Sequence, residues 1–420
     1  MSIPWLAFRS LANRRLTTVL TLLTIGLSVA LTIGVVHLRR SARESFANVI
    51  SQTDLIVGPR GGGTELLLYS VFHLGAPVAN IGYQTYQEIA AHPAVEWTIP
   101  LSLGDSHRGF RVVATNADFY AHYRFHRDRS VALREGHVPT DLWDVAIGGQ
   151  VADDLGYHLG DRIVVTHGLG STGILDHDDK PFTLVGILEA TGTPIDQSVF
   201  VTLEGFEAMH IDWQSGAPPQ LGKGIPADQI HAEDLHIEKI TAFLLGTHSR
   251  IETLQLQRDI NTRPGEPVMS IVPGVALSEF WRVVGYAESA LVVVGIFVVV
   301  VGLLGMLMTI YTSLEARRRE MAILRALGSG RGMVIGLLTL EAGALSLGGC
   351  VVGLATAYTL LATFRPVVRR EFGLLLDLGR PSPMEWWFLL AVIVVGTAVG
   401  VPPALKAYRN ALTDGLSVRL

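Results

Sequence analysis

Long apolar stretches interrupt an otherwise mixed chain at residues 16–36, 289–314, 332–364 and 386–405. A bilayer core of roughly 30 Å takes about 20 apolar residues in a helix, because only a helix satisfies its own backbone polar groups in hydrocarbon. Each stretch meets that length. The third exceeds one crossing and holds a single charge, Glu341, so it either tilts or runs past the interface.

Residues 43–285 carry no run of this kind and read as a soluble domain of mixed α/β type. Short β-rich runs are spelled Asp54-Leu-Ile-Val-Gly58, Phe110-Arg-Val-Val-Ala114, Arg162-Ile-Val-Val-Thr166 and Phe182-Thr-Leu-Val-Gly-Ile187. They alternate with helical patterns at 83–91 and 251–260, while Gly61-Gly-Gly63 and residues 216–226 punctuate loops. Two lobes are expected rather than one compact sheet.

Composition fits this division. Hydrophobic residues make up 49% of the chain and charged residues 17%, and mean hydropathy is +0.37, outside the range of ordinary soluble domains. Residues 43–285 hold 13 Arg and 3 Lys against 17 Asp and 13 Glu, a net charge of −14; the remainder is +9. Lys and Arg near membrane ends favour the cytoplasmic side. Arg317, Arg318, Arg319, Arg325 and Arg331 follow the second stretch and mark that loop as cytoplasmic. Alternation then puts both termini inside, with Lys406, Arg409 and Arg419 in the tail, and the large domain outside. The first stretch alone is undecided, since Arg9, Arg14 and Arg15 precede it while Arg39, Arg40 and Arg43 follow.

That stretch runs to His37-Leu-Arg-Arg40 without a small-x-small cleavage site, so it reads as a retained anchor and not a signal peptide. The sole cysteine, Cys350, lies in the third stretch, which leaves the exported domain without disulfides.

Three segments resemble the MacB/FtsX-like permeases, the type VII or mechanotransmission ABC systems. Residues 6–26 look like the family's amphipathic entry into its first membrane helix. Glu315-Ala-Arg-Arg-Arg-Glu-Met-Ala-Ile-Leu-Arg-Ala-Leu-Gly328 is similar to its cytoplasmic segment after the second helix. In the exported region Arg134-Glu-Gly136, Asp144-Val-Ala-Ile-Gly148, Leu159-Gly-Asp-Arg-Ile163, Phe182-Thr-Leu-Val-Gly186 and Asp196-Gln-Ser-Val-Phe200 match the periplasmic core. The resemblance implies a four-helix membrane protein with a periplasmic domain made of a porter-like α/β lobe and a small β-rich lobe. Its divisions fall at 1–40 (entry segment and first helix), 41–285 (periplasmic core) and 286–420 (permease).

The resemblance also implies the function: a non-catalytic permease subunit of the inner membrane that couples a separate ATPase to motion of the outer domain, for export of a substrate or lipoprotein. Glu315, Arg317, Arg318, Arg319, Glu320, Met321, Leu324, Arg325, Leu327 and Gly328 are the expected coupling residues, with ATP and Mg bound by the partner. A second permease copy is implied, and an adaptor, outer-membrane channel or hydrolase are further partners the family admits. On charge alone, the arginines also read as plain positive-inside anchoring or contact with anionic lipid.

Two alternatives stay open: a signalling subunit that activates a periplasmic enzyme such as a cell-wall hydrolase, and a membrane-anchored periplasmic metal-binding protein. The tail resembles the family's but has Leu412-Thr-Asp-Gly where a proline is usual.

Other candidate chemistry is thin. The nearest approach to a phosphate-binding loop, Gly216-Ala-Pro-Pro-Gln-Leu-Gly-Lys-Gly224, has misplaced glycines, two prolines and no Ser or Thr after the lysine. No catalytic triad, His-Glu-x-x-His or Gly-x-Ser-x-Gly is spelled, and nothing points to nucleic acid. Glu341 is costly in hydrocarbon; its shallow position favours a structural pairing near the interface. Gly349-x-x-x-Gly353 and Gly396-x-x-x-Gly400 permit close helix approach, expected within one subunit.

All 14 histidines fall between His37 and His248. His122 with His126, at i, i+4 on an expected helix, His231 with His236, and His177 in Asp176-His-Asp-Asp179 are the metal candidates. Solvated surface is the plainer reading, and no ligand set is complete.

Overall fold

The computed structural model describes residues 5, 9, 11, 12, 14–168, 175–213, 225–316, 331–372 and 378–413. Among these, four helices are long and apolar enough to cross a membrane: Arg15–Ala47, Pro273–Leu314, Ile335–Val368 and Pro383–Ala407. The helices outrun the apolar stretches. The first runs 11 residues beyond Val36, and the second, as the helix Pro273–Ala316, begins 16 residues before Ser289. The polar residues in these extensions find partners along the helices: Arg39 Nε lies 2.6 Å from Glu288, and His37 Nδ1 lies 3.3 Å from the buried Glu385. Glu385 also closes a capping box with Ser382 that starts the fourth helix, with Pro383 at its first position.

The chain divides into two compact units. One comprises residues 1–41, 284–367 and 376–420; the other comprises residues 42–283 and 368–375. In the first unit the helices pack around Ile25, Val29, Ile33, Leu303, Met306, Leu338, Ala342 and Val392.

The second unit is built on a continuous twisted sheet. Its strands run in the order Val268–Ile271, Leu55–Pro59, Ala242–Thr247, Val95–His107, Phe110–Thr115, Ser198–Thr202, Asp144–Ile147, Phe182–Leu188 and Leu133–Gly136. The 13-residue strand Val95–His107 belongs to two halves at once. Residues up to Leu101 pair antiparallel with Ala242–Thr247, and those from Ser102 onward pair with Phe110–Thr115. One half is an antiparallel four-strand layer carrying the helices Gly63–Val71 and Arg250–Thr262. The other is a mixed layer in which Ser198–Thr202 runs parallel to Phe110–Thr115 and Phe182–Leu188 runs parallel to Asp144–Ile147. The mixed α/β domain is thus observed, but the two expected lobes are two halves of one continuous sheet, joined because the strand Val95–His107 pairs in both.

Alternating side chains bury both faces. Leu55, Val57, Val112, Val145, Val199 and Phe243 join one core, while Ile56, Val113, Ala146, Phe200 and Leu244 join another. A sheet covered on both sides explains why its strands read as uninterrupted apolar runs rather than alternating ones.

The run spelled Arg162 to Thr166 is not one strand. Arg162–Ile163 pairs with Phe182–Leu188, and Thr166–His167 pairs with Ser106 and with Leu175–Asp176. Val164 between them faces His107, whose Nδ1 lies 2.6 Å from the Val164 carbonyl. The change of partner splits the run and carries His167 toward the Val95–His107 strand.

Candidate functional site

Glu315 is the penultimate residue of the helix Pro273–Ala316. Arg317, Arg318, Arg319, Glu320, Met321, Leu324, Arg325, Leu327 and Gly328 lie outside the described residues, as does the loop 216–224. Glu341 is 5% exposed and lines a cavity with Arg14, Thr21, Thr309 and Ser313. Arg14 donates to the Ser313 carbonyl at 3.4 Å. A carboxylate and a guanidinium therefore line one mixed polar and apolar cavity near the helix ends.

The glycines pack helices within this chain. A Cβ on Gly349 would lie 2.5 Å from Ile25, and one on Gly353 would lie 2.6 Å from the Gly26 carbonyl. Gly396 and Gly400 face Ser346 and Ala342 in the same way. The first and third helices, and the third and fourth, thus meet at backbone distance, as small residues allow in hydrocarbon.

The paired histidines separate. The helix Asp118–His122 stops at His122, Tyr123 is extended, and His126 sits in a turn at φ +45°, so the i, i+4 helical geometry does not form. His122 instead stacks on Trp97, with centroids 5.4 Å apart. The intrinsic reason is the short β-hairpin of Arg124–Phe125 with Arg129–Ser130, which draws the chain out of helix. His231 and His236 are both exposed, with a 3₁₀ turn at Ala232–Asp234 between them.

His177 has different company. Its ring nitrogen, those of His167 and His210, and an Asp105 carboxylate oxygen all lie within 4.8 Å of one another. Four separate elements bring them there. The ladder between Val95–His107 and Phe110–Thr115 slips a residue between Leu103 and Ser106, and this bulge turns Asp105 inward to 1% exposure. His167 ends its two-residue strand. His177 follows Leu175–Asp176 directly, its amide donating to the Val165 carbonyl at 2.9 Å. His210 is the last residue of the helix Leu203–His210, where the helix dipole favours positive charge.

Distances inside the cluster are short. His167 Nδ1 is 3.1 Å from Asp105 Oδ1, His210 Nε2 is 3.1 Å from Asp105 Oδ2, and the two imidazole nitrogens are 3.2 Å apart. His210 Nδ1 lies 2.9 Å from the Phe206 carbonyl, and the Gly168 amide donates to Asp105 at 3.2 Å. His177 Nε2 is buried with no hydrogen-bond partner among the described residues. Trp213 covers the cluster, its ring centroid 4.6 Å from His167 and 4.7 Å from His177. Beside it the fully buried Lys180 pairs with Asp212.

The electrostatics follow from burial and crowding. Burial would raise the Asp105 carboxyl, but hydrogen bonds from His167 and His210 outweigh it and hold the group well below the usual carboxylate range. Burial would lower His210, yet the hydrogen bond and charge of Asp105 leave it raised. His177, buried and beside His210, falls to about 4. Of these four residues only His177 stood out in the sequence, because of its acidic neighbours. Asp105, His167 and His210 are scattered over a hundred positions and share no local spacing.

A membrane helix bundle with a large outer α/β domain defines the class: an integral membrane protein whose bulk outside hydrocarbon is one inserted domain. A family model of the MacB-like periplasmic core domain matches residues 18–229, and one of the FtsX-like permease C-terminal region matches residues 292–412. The chain belongs to the MacB/FtsX-like family of ABC transporter permeases. Among solved structures it is similar to the periplasmic region of MacB from Actinobacillus actinomycetemcomitans, at 8% identity and a TM-score of 0.33, over 55% of this chain and 94% of that one. It is also similar to the extracellular domain of the noncanonic ABC-type transporter YknZ from Gram-positive bacteria, at 12% identity and a TM-score of 0.30, over 52% and 98%. No curated protein matches the chain.

Proposed function

We propose that this chain is the inner-membrane subunit of an ATP-driven machine in which a separate cytoplasmic ATPase moves the outer domain to export a substrate or lipoprotein. The observation that carries this reading is the FtsX-like match over residues 292–412, which spans the arginine-rich segment Glu315 to Gly328. In this reading ATP and Mg are bound by the partner ATPase. Arg317, Arg318 and Arg319 supply charge for acidic residues of that partner, and Met321 and Leu324 supply an apolar face. Two permease copies above two ATPase copies is the assembly the family supports.

Affinity capture of the full-length protein from detergent extracts tests this. The wild type should recover an ABC ATPase, and the double variant Arg318→Glu, Met321→Ala should lose it while keeping its own expression and melting temperature. Recovery of no ATPase by the wild type would sink the reading.

A further inference from the structure

We propose that Asp105, His167, His177 and His210 form a binding site for one divalent transition metal ion, Zn²⁺ being the best match, in the outer domain. The inference stands on that domain alone and is independent of ATPase coupling.

The donor set decides the class of ion. Three imidazoles and one carboxylate suit Zn²⁺ and its neighbours in the first transition row, whereas Ca²⁺ and Mg²⁺ take oxygen ligands. The geometry agrees. Donors about 2.0–2.1 Å from a tetrahedral Zn²⁺ lie about 3.3–3.4 Å from each other. Here the His167 and His210 nitrogens are 3.2 Å apart, and each lies 3.1 Å from a different oxygen of Asp105, Oδ1 for His167 and Oδ2 for His210. His177 occupies the remaining corner, within 4.8 Å of the others.

The protonation pattern points the same way. The Phe206 carbonyl 2.9 Å from His210 Nδ1 fixes the proton on that nitrogen, so in the neutral ring Nε2 presents a lone pair to Asp105. His167 Nδ1 has one position for a proton and faces both Asp105 and His210 Nε2. His177 Nε2, in a residue 1% exposed, has no partner at all among the described residues. A dication at the centre would take a lone pair from each of the four residues, the unpartnered His177 Nε2 included.

Backbone groups hold the ligands from behind, with Phe206 behind His210 and the Gly168 amide on Asp105. Such outer partners orient metal-binding histidines generally. The Lys180–Asp212 pair neutralises the neighbouring carboxylate, leaving Asp105 to balance the ion. Access exists through His167 and His210, whose side chains are 38% and 21% exposed. Because the four ligands come from a bulge, a strand end, a turn and a helix end, an ion would tie these elements together.

The test uses untagged full-length protein in detergent, stripped with chelator and dialysed against ZnCl₂, with metal quantified per chain. One tightly held Zn²⁺ per chain is expected, and Co²⁺ in its place should give the intense visible bands of four-coordination. X-ray absorption at the zinc edge should show imidazole and oxygen ligands without sulfur. His167→Ala and Asp105→Asn should each weaken binding by more than the roughly 10–100-fold that losing an outer partner costs, while His122→Ala and His231→Ala leave it unchanged. Zinc absent from the wild type, zinc bound equally by His167→Ala and Asp105→Asn, or an all-oxygen six-coordinate spectrum would each overturn the proposal. The wild-type spectrum decides alone if a variant fails to fold.

Discussion

His73 illustrates how one side chain ties the outer domain to pH. It leaves the helix Gly63–Val71 at φ +53° and meets Ser198 Oγ through Nδ1 at 2.8 Å. Burial, seconded by the positive charge of Arg111, pushes its pKa down from 6.5 to about 3. The folded state therefore binds the neutral ring, and the unfolded chain takes up a proton first. The stability this contributes is present above pH 6.5 and is lost as pH falls from 6.5 toward 3, by up to about 1.4 kcal/mol per unit. His73→Asn, which tolerates the left-handed backbone, should flatten that limb of a plot of melting temperature against pH; an unchanged slope would refute the assignment. None of this is visible in the sequence, where His73 is one of 14 histidines. The cluster of Asp105, His167, His177 and His210 hid for a related reason. Proximity along the chain favoured His122 with His126, whereas the fold joins Asp105 to His210 through a bulge and a helix end that no local pattern announces.

Elements were more legible than residues, because the length of an apolar run is itself a physical requirement of the bilayer. The four runs at 16–36, 289–314, 332–364 and 386–405 all lie in helices. Their ends did not show, since Arg39 with Glu288 and His37 with Glu385 let the helices continue through polar sequence. The Arg162 to Thr166 run failed as a single strand because β-propensity does not say which neighbour a residue pairs with. What holds the membrane helices is close approach, since hydrocarbon offers no hydrophobic drive for helix association. Gly353 and Gly34 separate packing from propensity. A methyl on Gly353 would press on the Gly26 carbonyl at 2.6 Å, but one on Gly34 meets nothing within 4 Å. Gly353→Ala should cost about 1–3 kcal/mol as an overpacked contact. Gly34→Ala should be neutral or gain up to about 1 kcal/mol from helix propensity. Thermal unfolding of the two variants in one detergent checks this, and equal melting temperatures would remove the first helix from the packing argument.

At the scale of the whole molecule the uneven charge has a direction. Residues 43–285 carry −14 and the remainder +9, and the basic excess gathers at Arg317, Arg318, Arg319, Arg325 and Arg331. Arginine near a membrane end resists translocation, whereas a long acidic domain crosses largely regardless of its charge. The arginine loop should therefore stay in the cytoplasm and the outer domain should leave it. The single cysteine makes this directly measurable, since Cys350 is 3% exposed and lies in the third span. In a Cys350→Ala background, Gln255→Cys places a thiol on an exposed position of the helix Arg250–Thr262. Ser329→Cys places one beside the arginine loop. A membrane-impermeant maleimide added to cells with a permeabilised outer envelope should label Gln255→Cys at once and Ser329→Cys only after the inner membrane is broken. The opposite pattern would invert the topology and, with it, remove the arginine segment from the reach of any cytoplasmic ATPase.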